Sequence, residues 1–206
     1  MASPTWHREV LPPGWQPVAQ ALADAGALDG FALAGGTALA LYFGHRRSVD
    51  LDLFTEQAFA PTTIVDRLRH AAGLSVIQTA PGTLHLSLQG VLVTYLHFPY
   101  PALFPTHTLA PLTVLDPRDV ACMKLQAIAA GGARRDFVDL YVVAQEHGLQ
   151  AILNWFDQKF SATPYNSIHL RKALTYFDDA EIEPMPDMLV DLPWLRVRAF
   201  FESAAL

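Results

Sequence analysis

The sequence predicts an α/β (α+β) fold: a mixed sheet flanked by helices over residues 1–115, followed by a helical C-terminal half over residues 116–206 that packs on it. Three observations carry this expectation. Before residue 116, short runs rich in β-formers alternate with turn signals. After Asp116, the apolar positions recur at helical spacing. The 206 residues are 51% hydrophobic and only 17% charged, which suffices for a buried core and leaves little for extended disorder.

Residues 16–25 read as a helix that follows a proline-rich leader and stops near Gly26. Residues 31–34 form a short apolar strand ending at Gly35-Gly36, and residues 37–43 a helix closed by Gly44 at its C-cap. Residues 49–54 alternate and read as a strand. Pro61 opens a helix that runs to about Ala72, with Ile64, Val65 and Leu68 on one side. Three strands follow over 74–78, 84–88 and 91–98, the last two joined by Gln89-Gly90 in a tight hairpin. The proline-rich stretch 99–111 is expected as a connector, and residues 113–115 as one more short strand. Asp116-Pro117 then supplies an N-cap with proline in the first helical position. Helices are expected over 118–129, 136–146, 149–160 and roughly 167–174. Beyond Asp178 the chain is interrupted by Pro184, Pro186 and Pro193 before a last helix over 194–201.

Composition excludes several classes. The single cysteine, Cys122, rules out an internal disulfide and a multi-thiolate zinc site, and the eight histidines form no close pair backed by a third ligand. The longest mainly apolar run, residues 31–44, is too short for a membrane span, and no signal peptide is evident, so a cytoplasmic protein without membrane association is expected. The net charge of −6 provides no global footprint for nucleic acid. Arg46-Arg47 and Arg134-Arg135 leave room for a local basic patch, although most such pairs are solvated helix surface.

The chemistry concentrates between residues 31 and 54. A strand that ends in Gly35-Gly36 and enters a helix presents free backbone N–H groups to a phosphate, and the helix dipole favours negative charge there. Asp50 and Asp52 lie two apart on a strand, so both carboxylates project from one face while Val49, Leu51 and Leu53 point to the other. Like charges this close need a compensating cation. Oxygen-ligated Mg²⁺ completed by substrate phosphates meets that need, and Mn²⁺ is an alternative. A solvated sheet face is the plainer reading of the same two residues.

Further along, Lys124 interrupts an apolar helix face formed with Val120 and Ile128, which implies either snorkelling to solvent or a buried anion. Asp136 and Asp139 share a face by their spacing of three, opposite a packing stripe of Phe137, Leu140, Tyr141 and Ala144. Asp136 also reads as a charge at a helix N-terminus, or as an ion-pair partner of Arg135 or Lys124.

Together these motifs resemble the nucleotidyltransferase fold, and within it the AbiEii/AbiGii toxin family. The resemblance rests on Gly35-Gly36-Thr37-Ala38-Leu39, His45-Arg46, Ser48 and Asp50-Leu51-Asp52-Leu53-Phe54. It continues through Lys124-Leu125-x-Ala127-Ile128 and Arg135-Asp136-Phe137-x-Asp139-Leu140-Tyr141, so that it spans about residues 31–145. The resemblance implies a nucleotidyltransferase-type mixed sheet and an enzyme that moves NMP from an NTP to an acceptor hydroxyl. The resemblance also implies RNA (tRNA a candidate) or protein as the acceptor, and points to the toxin of a toxin–antitoxin or phage-defence pair with a cognate antitoxin protein. It further implies that Gly36 and Thr37, with Gly35, hold the triphosphate and that Asp50 and Asp52 bind metal. Lys124 then contacts phosphate, Arg46 and Ser48 brace the loop or touch nucleotide, and Asp136, with Asp139, completes the site.

One position departs from the pattern. Many nucleotidyltransferases carry a third carboxylate on a later strand, where this sequence aligns Thr94, and no acid occurs between Asp66 and Asp116. The usual general base is therefore missing, and Asp136 or a group of the acceptor is expected to replace it. The alternative is a degenerate domain that binds nucleotide or a partner protein without turnover. An Asp-x-Asp glycosyltransferase is disfavoured by the glycine turn upstream, and a dinucleotide enzyme by the lack of Gly-x-Gly-x-x-Gly.

Overall fold

A computed structural model describes residues 4–163 and 165–204. A seven-stranded mixed sheet organises it, in the order β3-β4-β5-β2-β1-β7-β6. The strands are β1 (Ala32–Leu33), β2 (Asp50–Thr55), β3 (Leu74–Ala80), β4 (Thr83–Leu88), β5 (Val91–His97), β6 (His107–Leu109) and β7 (Leu112–Val114). β2 runs parallel to β5 and β1 parallel to β7, and the remaining pairs are antiparallel. The helices are α1 (Trp15–Asp24), α2 (Gly35–Phe43), α3 (Pro61–Leu68), α4 (Pro117–Ala129), α5 (Arg134–His147), α6 (Leu149–Lys159), α7 (Ser167–Ala173), α8 (Asp178–Ile182) and α9 (Trp194–Ala204).

Strict alternation gives the sheet its two faces. Leu51 and Leu53, Leu84, Leu86 and Leu88, and Val91, Val93 and Tyr95 are all nearly or wholly buried. Each such burial contributes about 1.5–3 kcal/mol relative to exposure. The intervening residues, Asp50, Asp52, His85 and Thr94 among them, form the opposite face and are only partly covered. The β4–β5 turn is the expected tight hairpin, with Gln89 at φ 51° and Gly90 at φ 85°, which marks a type I′ turn.

Differences from expectation are local. α2 starts at Gly35 rather than residue 37, so both glycines belong to the helix's first turn. α3 ends at Leu68, four residues early. The connector 99–111 contains β6, which completes a hairpin with β7, and α8 lies in the interrupted tail. Asp116 caps α4 as expected, its side chain accepting from the Arg118 N–H. α5 packs against α4, α8 and α9, with Phe137 stacked edge-on against Phe201 and Trp194. Among the described residues no helix is long and apolar enough to cross a membrane.

Candidate active site

The N-terminus of α2 meets the start of β2 at the mouth of one large cleft. Gly35, Gly36, Arg46, Ser48, Asp50, Asp52, Lys124 and Asp136 all line it. The eight come from α2, the loop before β2, β2 itself, α4 and α5, so residues 100 positions apart in sequence converge. Its volume of about 1780 Å³ exceeds what a single small ligand fills and leaves room for a triphosphate together with an acceptor.

Both glycines are dictated by what lies over them. Gly35 has φ 60°, and a Cβ there would stand 2.6 Å from Asp52 Oδ2. A Cβ on Gly36 would enter the Arg46 guanidinium and come within 3.0 Å of Asp139 Oδ2. The backbone of this turn thus approaches the carboxylates as closely as it can. The first N–H groups of α2 have no acceptor within the helix, as at any helix start.

Thr37 turns its side chain away from the cleft. Its side chain is 1% exposed and does not line the cleft. Its hydroxyl lies 2.6 Å from Ser48 Oγ, 2.8 Å from the Asp50 carbonyl and 3.3 Å from Asp50 Oδ1. Thr37 and Ser48 therefore fix Asp50 from beneath, and only the Thr37 backbone is left to meet a phosphate.

Asp52 is short of positive charge. Burial, and then the neighbouring Asp50 charge, push its carboxyl up to about 7, against the pull of Lys124, Arg135 and Arg46. Two carboxylates on one strand face, one of them resisting ionisation, suit a hard divalent cation. Mg²⁺ is commonly held by one or two carboxylates and completed by phosphate oxygens and water, so the donor set fits it. No group of three or more His, Cys, Asp or Glu side chains gathers at metal-binding spacing among the described residues. Substrate oxygens would have to supply the rest of the coordination.

Behind this face lies a buried ionic hub that sequence reading placed only in part. Asp139 is fully buried. It accepts from Arg46 Nε at 2.7 Å and Nη2 at 2.9 Å, stands 2.8 Å from Lys124 Nζ, and lies 2.8 Å from His45 Nε2. Burial opposes its ionisation, but Lys124 and Arg46 outweigh that cost and hold the carboxyl well below the usual range. Arg46 is thus a brace, its fork consumed by Asp139. Lys124 neither snorkels nor stands free: its Nζ also donates to Asp136 Oδ1 at 2.7 Å. Asp136 is an ion-pair partner and a helix charge at once, since its Oδ2 accepts from the Ala133 N–H at 3.1 Å and caps α5. Arg135 lines the cleft and makes no ion pair among the described residues, so its charge is available to a phosphate. The other members of the two arginine pairs are anchored, Arg47 to Asp187 and Arg134 to Ala180 and Glu181.

Thr94 stands directly opposite Asp52 in the β2–β5 register, at the place expected for a third carboxylate. Its hydroxyl lies 3.1 Å from His85 Nδ1 on β4. His85 escaped the sequence reading, although Leu84-His85-Leu86 alternation puts it on the Asp52 face. His45 and Arg135 stand in the motifs that carry the resemblance but were given no place in the site, the first because its partner lies 94 positions away.

A strand entering a helix through two glycines, with a carboxylate pair on the next strand facing that helix end, defines the nucleotidyltransferase fold. The chain belongs to the AbiEii nucleotidyl transferase toxin family of type IV toxin–antitoxin systems, whose family model matches residues 18–87 and 83–191. It is 32% identical over 183 residues to the uncharacterised protein aq_aa25 of Aquifex aeolicus, covering 86% of this chain and 87% of that one. Among solved structures it resembles JHP933 from Helicobacter pylori with a TM-score of 0.51 at 14% identity, over 94% of this chain and 93% of that one. It also resembles the Megavirus polyadenylate synthase, with a TM-score of 0.46 at 14% identity, over 65% of this chain; the match spans 32% of the viral enzyme's length. At 14% identity the likeness to JHP933 is one of fold.

Proposed function

We propose that this chain is a Mg²⁺-dependent nucleotidyltransferase that transfers NMP from an NTP to an acceptor hydroxyl and releases pyrophosphate. The observation that carries the proposal is the meeting of the Asp50–Asp52 pair with the glycine-lined N-terminus of α2 in one cleft. Asp50 and Asp52 hold the metal, with Mn²⁺ an alternative. When bound, the ion neutralises charge on the triphosphate and on departing pyrophosphate. The N–H groups of Gly35, Gly36 and Thr37 orient the phosphates, and Arg135, the unpaired cleft cation, draws them in. Lys124, fixed between Asp136 and Asp139, adds positive charge along the same wall.

The acceptor is RNA, with tRNA a candidate, and protein is the alternative class. In the cell the activity is that of a toxin restrained by a cognate antitoxin protein, in keeping with the family. The test is incubation with each α-labelled NTP, Mg²⁺ and total RNA. Transfer of label to a discrete RNA with release of pyrophosphate is the expected result. Saturable NTP binding with no labelled product from any NTP would instead favour a non-catalytic nucleotide-binding domain, the reading to which Thr94 at the third-carboxylate position lends weight. Within this test, Asp50→Ala and Asp52→Ala are each expected to abolish labelling and Mg²⁺ binding while leaving the circular dichroism spectrum unchanged. Full transferase activity in either variant would refute the metal assignment.

A further inference from the structure

One row of side chains crosses the open face of the sheet. Asp52 on β2 is opposite Thr94 on β5, Thr94 is opposite His85 on β4, and His85 is opposite Gln78 on β3. All four line the cleft. Neighbouring strands lie about 4.8 Å apart, so Asp52 and His85 stand on either side of Thr94 on one sheet face. His85 Nδ1 and Thr94 Oγ1 are 3.1 Å apart, and neither atom has a different hydrogen-bond partner among the described residues.

Arg135 faces the same space as a permanent cation, and the carboxylates there are committed. Asp136 spends one oxygen on Lys124 and the other on the Ala133 N–H. Asp139 is sealed beneath Arg46 and Lys124. At the rim, Glu9 faces His7 and Asp187 faces Arg47. Asp50 and Asp52 are the metal pair. What is left beside them to receive a proton is the Thr94–His85 couple. Histidine is the side chain that most often serves as a general base, which suits it to that role.

We infer that Thr94 and His85 form the proton-accepting couple of the transfer step, an inference that rests on nucleotidyl transfer itself. The acceptor hydroxyl donates its proton to Thr94 Oγ1 as the Thr94 hydroxyl proton passes to His85 Nδ1. The acceptor oxygen bonds to the α-phosphorus while the bond from that phosphorus to the pyrophosphate oxygen breaks, and the electron pair leaves with pyrophosphate. His85 ends as imidazolium and returns its proton to solvent. The neutral resting ring therefore carries its proton on Nε2. A threonine with a histidine behind it thus does the work that a third carboxylate does elsewhere in the fold.

The test follows labelling of total RNA from α-labelled NTP and Mg²⁺ with the full chain. His85→Ala and Thr94→Val should each slow labelling about 100-fold or more, with the unfolding midpoint and the affinity for a non-hydrolysable NTP analogue unchanged. Added imidazole should restore His85→Ala about tenfold, as it replaces a missing proton acceptor and not a missing packing contact. Thr94→Asp should make the rate independent of His85, so that Thr94→Asp with His85→Ala equals Thr94→Asp alone. Nitrogen-15 NMR of the neutral His85 ring should show the proton on Nε2. His85→Ala at the wild-type rate, a loss that neither imidazole nor Thr94→Asp relieves, or a proton found on Nδ1 would each overturn the couple. Wild-type protein that labels nothing sinks the nucleotidyl-transfer reading and the couple with it. Wild-type turnover with an unaffected His85→Ala variant sinks the couple alone.

Discussion

Asp52 illustrates how a single carboxyl reports on its surroundings. An unfolded aspartate titrates near 3.9, so a folded value of about 7 means that protonation favours the folded state. The associated stability is fully present below about pH 4 and is lost as pH rises through about 7. Asp52→Asn, which keeps the shape and removes the charge, should therefore be more stable than the parent at pH 8, by about 2 kcal/mol after allowance for partial exposure. Urea unfolding at pH 5 and pH 8 measures it, and a variant no more stable than the parent at pH 8 would show that burial does not hold Asp52 above the usual carboxylate range. The same variant should lose the extra stability that Mg²⁺ with an NTP analogue confers on the parent.

At the scale of elements, the α2 N-terminus behaves unlike an ordinary helix start. Glycine to alanine normally strengthens a helix by up to about 1 kcal/mol. Here Gly36→Ala should instead destabilise by about 2 kcal/mol, because the new methyl displaces the buried Arg46–Asp139 pair. Gly35→Ala should weaken NTP-analogue binding about tenfold, since it strains a left-handed backbone and pushes Asp52 aside. Denaturation and equilibrium titration measure the two effects, and alanine at both positions with no penalty would show that the turn is not crowded. These glycines were legible in the sequence, as were the Asp50–Asp52 face and the Gln89-Gly90 hairpin, because each is set by two or three adjacent residues. β6 and α8 were not, since short elements among prolines carry no periodicity. Neither was the hub role of Asp139: spacing put it on a face with Asp136, but its partners His45 and Arg46 lie more than 90 positions away.

For the whole molecule, Asp139 is the joint between the sheet half and the helical half. It ties α5 to the loop that leads into β2 and to Lys124 on α4. Asp139→Asn leaves two buried cations under-compensated and should cost about 3–5 kcal/mol of stability, with loss of nucleotide binding as Arg46 and Lys124 reorganise. Because the Asp139 carboxyl is held well below its unfolded value, its contribution is complete above about pH 4 and is lost only as pH falls further. Acid unfolding of the parent should be correspondingly steep below pH 4, and shallower in the variant. A parent and variant with superimposable acid profiles would remove Asp139 from that account.

The loop before β2 is pinned from far along the chain. Arg46 forms a β-bridge with Met188, the Arg47 N–H donates to the Asp187 carbonyl at 2.8 Å, and the Leu189 N–H donates to the His45 carbonyl at 2.9 Å. Arg47 and Asp187 are 140 residues apart. A ribosome adding about 5–20 residues per second leaves this loop without its anchor for on the order of ten seconds after it is made. Throughout that interval the nascent polypeptide carries its glycine turn and both carboxylates, yet lacks the strap that pins the neighbouring loop. Synthesis itself thus imposes an order on assembly, because the loop is made well before the distant segment that holds it.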